Sequence, residues 1–282
     1  LDLLVSTCLE VDKRRRPPRR FFLVGRDLKL YEDWLVEAHR YFNEASRQNA
    51  PLTNASEWVL DNYYILHQAV QEIKEDMPSS FYFQLPVLIP VPITSYPRIY
   101  FIAYQILKLQ NYLLEMSDLH AILIPLQEEV PLTMGELWAL PIFLRYCLIE
   151  KLANALLAII HPSRMPVLPT RIFTEASTGR QLQIEEVNDN EVVANVVISL
   201  RTISEQDWKD FFEEVSRLER TLREEPSGLY ACMDFATRDL YRKEIEKLSF
   251  ASGRSENELA EALLQMNGPG VSVPANSTGA DD

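Results

Sequence analysis

The sequence predicts an all-α fold, and three observations carry that expectation. Apolar residues recur at alternating spacings of four and three over most of the chain, the period of one helical face. Helix-start chemistry, Ser, Thr, Asn or Asp followed three residues later by an acid, precedes several of those runs. Strict apolar-polar alternation of the kind a half-buried strand needs is almost missing. The reading is a multi-helix bundle of about eight helices, with a division into two lobes at 161–187 and with disordered ends.

The first twenty residues contain KRRRPPRR (Lys13–Arg20), in which like charges repel and two prolines bar a helix. Residues 1–20 therefore read as a solvated basic tail, with a juxtamembrane cluster that prefers an anionic membrane surface as the sharper alternative. Asp27–Arg47 reads as a helix with Leu30, Trp34, Ala38 and Tyr41 inward, ending before Pro51. Asn54 is positioned to cap the next helix with Glu57 in its first turn, and Val59, Tyr63, Leu66, Val70 and Ile73 form its inner stripe. Met77–Pro97 holds prolines at 78, 86, 90, 92 and 97 and reads as a long connection. Arg98–Leu114 is helical and aromatic, with Tyr100, Tyr104 and Leu107 on one side, and Asp118 is placed to cap a short helix to Glu129.

Pro131–Lys151, PLTMGELWALPIFLRYCLIEK, is the most apolar stretch. Thr133 with Glu136 fits a capping box, so a helix should begin near Met134. Trp138, Ile142, Arg145, Ile149, Leu152 and Leu156 form one stripe; Leu137, Pro141, Leu144, Leu148 and Ala155 form the stripe beside it. Two adjacent stripes mean a helix covered on most sides, the centre of its domain, with a kink expected at Pro141. Arg145, Glu150 and Lys151 interrupt the run and argue against a membrane span.

Residues 161–187 mix prolines, a Thr-Gly turn and two short alternating runs, and read as a loop or small hairpin. Helical spacing resumes at Asn188 through Val192, Val196 and Leu200, and 188–266 reads as the second lobe beside a first at 21–160. Trp208, Phe211, Val215, Leu218 and Leu222 give a four-turn stripe that stops at Pro226 and Gly228. Asp234 caps a helix with Tyr241, Ile245 and Leu248 inward, and Ser255 with Glu258 opens a last one. Residues 267–282 are Gly, Pro, Ser, Asn and Asp, a flexible tail.

A formal charge of −13 argues against nucleic acid as a partner, since binding phosphate needs a basic face. Three cysteines without CxxC spacing suggest neither a disulfide framework nor a zinc site. Leu1–Glu10 lacks the order of a signal peptide, and the chain reads as a soluble fragment or trimmed product. Phosphate-loop, dinucleotide, zincin and nucleophile-elbow motifs are missing. His39, His67, His120 and His161 stand singly, so no metal and no cofactor is expected in this chain. Arg145 is the most informative charge: in an apolar stripe it needs a carboxylate, for which Glu57, Asp61, Glu136 and Glu150 are candidates. It reads either as a buried ion pair that fixes helix packing or as part of a polar, ligand-binding cleft. Trp58, Trp138 and Trp208 suit sugar stacking or core packing. The ligand-binding candidates are thus Glu57, Asp61, Glu136, Trp138 and Arg145, and no residue is assigned a catalytic role.

Six blocks resemble a known family. They are Asn54–Pro78, Phe81–Leu88 (FYFQLPVL), Tyr96–Tyr104 (YPRIYFIAY), Pro131–Leu152, Asn195–Glu219 and Tyr230–Ser249. In this order, over roughly half of the chain, they are similar to the N-terminal helical region of bacterial cyclic β-1,2-glucan synthases. The resemblance implies a parent enzyme on the inner membrane, this region lying at its cytoplasmic side. There a processive glycosyltransferase uses UDP-glucose and a divalent metal, followed by a glycoside-phosphorylase-like part. The transferase's aspartate motifs, its Q-x-x-R-W signature and the membrane spans are not in these residues. The resemblance therefore implies a non-catalytic accessory domain that organises a membrane-embedded transferase core or contacts β-1,2-glucan. The alternatives are a free-standing protein-interaction scaffold and a carbohydrate-active domain in its own right.

Overall fold

The computed structural model describes residues 11–12, 22–88, 96–160 and 188–266. The basic run 13–20, the 161–187 segment with His161, and the 267–282 tail lie outside the described residues. The fold is all-α, as the periodicity predicts. Twelve helical segments are described: α1 Leu23–Arg47, α2 Asn54–Asp76, α3 Ser79–Tyr82, α4 Arg98–Leu109, α5 Met116–Glu129, α6 Met134–Ile160, α7 Asp189–Glu205, α8 Trp208–Val215, α9 Arg217–Arg223, α10 Leu229–Cys232, α11 Phe235–Ser252 and α12 Glu256–Met266. Among the described residues Val11–Asp12 also pair antiparallel with Val87–Leu88, and Val87 bridges Pro97. This pairing draws two residues of the expected tail onto the proline-rich connection.

The chain forms two compact units, Leu1–Trp208 and Lys209–Asp282. The division falls after the first residue of α8. The helix expected to open a second lobe at 188, α7, instead packs on α6 and α2 within the first unit. Its Val192, Val196 and Leu200 are fully buried, so its apolar face belongs to the core built around α6.

α6 is the centre of that core. The capping box predicted from sequence is present: the Glu136 amide donates to Thr133 Oγ1 at 3.2 Å, and the Thr133 amide donates to Glu136 Oε2 at 3.0 Å. Every residue from Ala139 to Glu150 is buried, and α1, α2, α4 and α7 pack around the helix. It continues through Pro141 as one element. α1 is tied to it where Trp34 Nε1 donates to the Ala153 carbonyl at 2.9 Å.

Two helix faces differ from the expected ones. In α1, Leu30 and Tyr41 are exposed, while Tyr31, Leu35 and Phe42 join Trp34 and Ala38 inside. The inward stripe is rotated by about one residue, a choice that four-three spacing alone does not fix. In α11, Tyr241 and Leu248 are exposed and the buried residues are Arg242 and Ile245.

Helix ends follow local chemistry. Thr53, one residue before the expected Asn54, caps α2 by accepting from the Ser56 amide. α4 ends short of the expected Leu114 in a Schellman turn, with Asn111 at φ 52° and the Tyr112 amide donating to the Leu107 carbonyl at 2.7 Å. α7 holds this turn: Ser199 Oγ donates to the Tyr112 carbonyl at 2.8 Å and accepts from the Leu114 amide at 2.8 Å. The four-turn stripe 208–222 is split in two, because Ser216 restarts the helix as the cap of α9. α11 is capped by Asp234, as predicted, and stops at Gly253, φ 73°, whose amide donates to the Ser249 carbonyl at 2.9 Å. Gly253→Ala should cost about 1 kcal/mol, because a Cβ disfavours that left-handed backbone. A urea titration followed by circular dichroism would register it as a lower midpoint with an unchanged slope.

Candidate functional site

Within the first unit the polar chemistry concentrates on α6 and the helices that cover it. At its N-terminus Glu136 is fully buried and receives Arg98 Nε at 2.7 Å and Arg98 Nη2 on its second oxygen. Arg98 Nη2 also donates to the Pro131 carbonyl at 3.1 Å. The same carboxylate thus closes the capping box and neutralises a buried guanidinium, joining α4 to the start of α6. A bidentate Arg–carboxylate pair is among the stronger and more directional contacts a core can contain.

One turn beyond the middle of α6, Glu150 accepts from Tyr31 Oη of α1 at 3.0 Å and from Tyr100 Oη of α4 at 2.8 Å. Beside it, Asp27 accepts from Tyr96 Oη at 2.6 Å and from Arg26 Nε at 2.8 Å. The Tyr96 and Tyr146 hydroxyls are 3.4 Å apart, and the rings of Tyr31, Tyr96, Tyr100, Phe143 and Tyr146 meet edge to face or tilted. Two carboxylates are therefore held inside an aromatic core by hydroxyl and guanidinium donors, and the network connects three helices.

Arg145 lies on the α2 side of α6 and is 8% exposed. Its Nε is 2.7 Å from Glu72 Oε2, a charge contact whose angle does not make an aligned hydrogen bond, and its Nη1 reaches the Pro141 carbonyl at 3.4 Å. Burial pulls the guanidinium below its ordinary pKa, against the charges of Glu72 and Asp76.

The sequence-predicted candidates are thus dispersed. Glu136 is engaged by Arg98 and Thr133; Arg145 is paired with Glu72, not with Glu57, Asp61, Glu136 or Glu150; Glu57 and Asp61 are exposed on α2; Trp138 is partly exposed on α6. Sequence reasoning missed Glu72, Arg98, Asp27 and the tyrosine ring around Glu150. Their partners are distant in sequence, Tyr31 and Glu150 being 119 residues apart, so no local pattern announces them.

The second unit has its own buried cluster. Glu219, fully buried in α9, accepts from Tyr230 Oη at 2.7 Å, Arg242 Nη1 at 2.6 Å and Arg223 Nε at 2.8 Å. Glu213 takes Arg238 Nη2 at 2.6 Å and Arg223 Nη2 at 2.8 Å. Burial works to raise the Glu219 carboxyl, but its hydrogen bonds from Tyr230, Arg223 and Arg242 outweigh that and hold it below the usual carboxylate range. The spacing Ser216-x-x-Glu219 is a capping-box pattern, the signal by which this residue was findable; Ser216 Oγ does accept from the Glu219 amide at 3.1 Å.

Among the described residues no group of three His, Cys, Asp or Glu is placed to hold a metal ion, and no helix is long and apolar enough to cross a membrane. What these clusters do chemically is to lock helices in register: each buried carboxylate already accepts from side chains of the fold.

No protein-family model matches the chain. Among curated proteins it is similar to the cyclic beta-(1,2)-glucan synthase NdvB of Rhizobium meliloti (strain 1021), 31% identical over 276 aligned residues that take in 77% of this chain and 10% of the relative. The chain therefore spans about a tenth of the length of that relative. On this likeness the chain is related to the cyclic beta-(1,2)-glucan synthase family.

Proposed function

We propose that the chain is a non-catalytic helical region that serves a β-1,2-glucan-synthesising glycosyltransferase, organising the membrane-embedded core in which glucose is transferred from UDP-glucose with a divalent metal. Its place is the cytoplasmic side of the inner membrane. The observation that carries the reading is the disposition of the buried carboxylates. Glu136, Glu150, Asp27 and Glu219 are each occupied by arginine or tyrosine donors of the fold. A general acid or base needs a proton path to substrate, and these groups spend their lone pairs on helix packing. The likeness to one tenth of a named synthase supports the same division of labour, with transfer chemistry residing elsewhere in the machinery.

The test uses the purified chain with UDP-glucose and magnesium, in the presence and absence of solubilised membranes from its host. The chain alone should release no UDP and form no glucan, and it should retain the glycosyltransferase from the membrane extract. UDP release by the chain alone, lost in the Glu57→Ala and Asp61→Ala variants, would make it a carbohydrate-active enzyme. Failure to retain the transferase would remove the accessory role.

A further inference from the structure

The central helix α6 comes to the surface along one line. Between Met134 and Glu150, Trp138 is the single residue that is not buried. Ile142 and Arg145 follow it at 5% and 8% exposure, whereas Leu140, Phe143, Leu144 and Leu148 are at 0%. Positions 138, 142 and 145 are i, i+4 and i+7, so the line is one edge of the helix, about 10.5 Å long. Its Arg145 end lies against α2 through Glu72.

The polar groups at that end are incompletely used. Of the five N–H donors of Arg145, Nη1 alone makes a hydrogen bond among the described residues, to the Pro141 carbonyl at 3.4 Å. Glu72 Oε1 accepts from Gln68 Nε2 at 2.8 Å, while Oε2 stands 2.7 Å from Arg145 Nε without an aligned hydrogen bond. Unused donors on so deeply buried a guanidinium are costly, and the carboxylate beside them has acceptor capacity to spare. The charges of Glu72 and Asp76 outnumber that of Arg145, which disfavours an anion as the group that completes the set. A neutral molecule with adjacent hydroxyls supplies what both side chains lack: its oxygens accept from a guanidinium, and its O–H groups donate to a carboxylate. The indole at the other end of the line offers a broad apolar face of the kind on which a sugar ring stacks.

We propose that the Trp138–Arg145 edge is a carbohydrate subsite, in which Arg145 donates to and Glu72 accepts from neighbouring hydroxyls of a neutral glucan while Trp138 stacks on an adjoining sugar ring. The choice of β-1,2-linked glucan rests on the reading above; the site rests on these side chains.

The test titrates the purified full chain with linear β-1,2-linked glucose oligomers in a calorimeter. Saturable binding is expected, weakened at least about tenfold by Trp138→Ala, at a partly exposed position, and by Glu72→Gln, which keeps the side-chain shape. Trp58→Phe, about four turns from Glu72 along α2, should bind as the wild type does. In the wild-type chain, nuclear magnetic resonance of the labelled indoles should show the Trp138 signal moving with added oligomer and the Trp58 signal staying, a readout that needs no variant to fold. No binding at millimolar oligomer, a Trp138 signal that does not move, unchanged affinity in both site variants, or displacement of the oligomer by inorganic phosphate would each overturn the subsite. Transferase retention by a chain that binds no glucan leaves the accessory role standing; a chain that binds glucan at Trp138 but retains no transferase keeps the subsite and loses that role.

Discussion

Glu136→Ala should destabilise the first unit by about 3–5 kcal/mol, the cost of leaving a buried arginine without its counter-charge. Arg98 is 3% exposed, and the substitution leaves it only the Pro131 carbonyl among the acceptors described above. The same step removes the acceptor of the Thr133 amide, one half of the α6 capping box, while the backbone amide at 136 still donates to Thr133 Oγ1. Arg98→Ala should be nearly as damaging, since it strands a carboxylate in the same place. The double variant Arg98→Met/Glu136→Leu should lose markedly less than the sum of the single changes, because a buried ion pair replaced by apolar side chains of similar volume is often neutral. Urea unfolding of the four proteins measures the cycle. Additive losses would show that the two groups do not act as a pair.

Glu219→Ala should unfold the second unit while sparing the first. Glu219 neutralises Arg242, which is 2% exposed, and accepts from buried Tyr230, so its removal takes the acceptor from Tyr230 Oη and leaves Arg242 only the longer contacts to Glu213 at 3.5 Å and Asp239 at 3.6 Å. An expected cost of about 3–5 kcal/mol approaches the whole stability of so small a unit. Hydrogen exchange should then show α9, α11 and α12 losing protection while α6 keeps its own. Acid should act in the same direction. The Glu219 carboxyl is held below its ordinary value in the folded state, so its contribution is fully present above the unfolded pKa of about 4.3 and is lost as pH falls through the folded value. The second unit should therefore melt at progressively lower temperature below about pH 4 in the wild type, with a shallower slope in Glu219→Gln.

These results depend on contacts that the sequence announces unevenly. Helix existence and most starts were legible because they rest on local rules: Thr133 with Glu136, Asp234, and Ser255 with Glu258 each cap where the spacing says they should. The centrality of α6 was legible too, since an apolar run on all sides has to be buried. Faces were less so. Leu30 and Tyr41 each sit one residue before a buried position, Tyr31 and Phe42, and the neighbours that select between adjacent stripes come from other helices. The division expected at 188 falls after Trp208 instead, because α7 returns to α6 through contacts far apart in sequence. Arg145 was correctly singled out as a buried charge in need of a carboxylate. The acid is Glu72, on the part of α2 that tertiary packing, not sequence spacing, brings alongside.

The proposed role, support of β-1,2-glucan synthesis without catalysis of it, is open to a direct assay. The most direct measurement is the incorporation of radiolabel from UDP-glucose into β-1,2-glucan by membranes of the host, comparing the wild-type chain with Glu136→Ala and with the purified wild-type chain alone. Synthesis by wild-type membranes, at least about a tenfold loss in the variant whose α6 core is broken, and none from the isolated chain are the expected results. Undiminished synthesis in the variant, or glucan made by the isolated chain, would contradict that role.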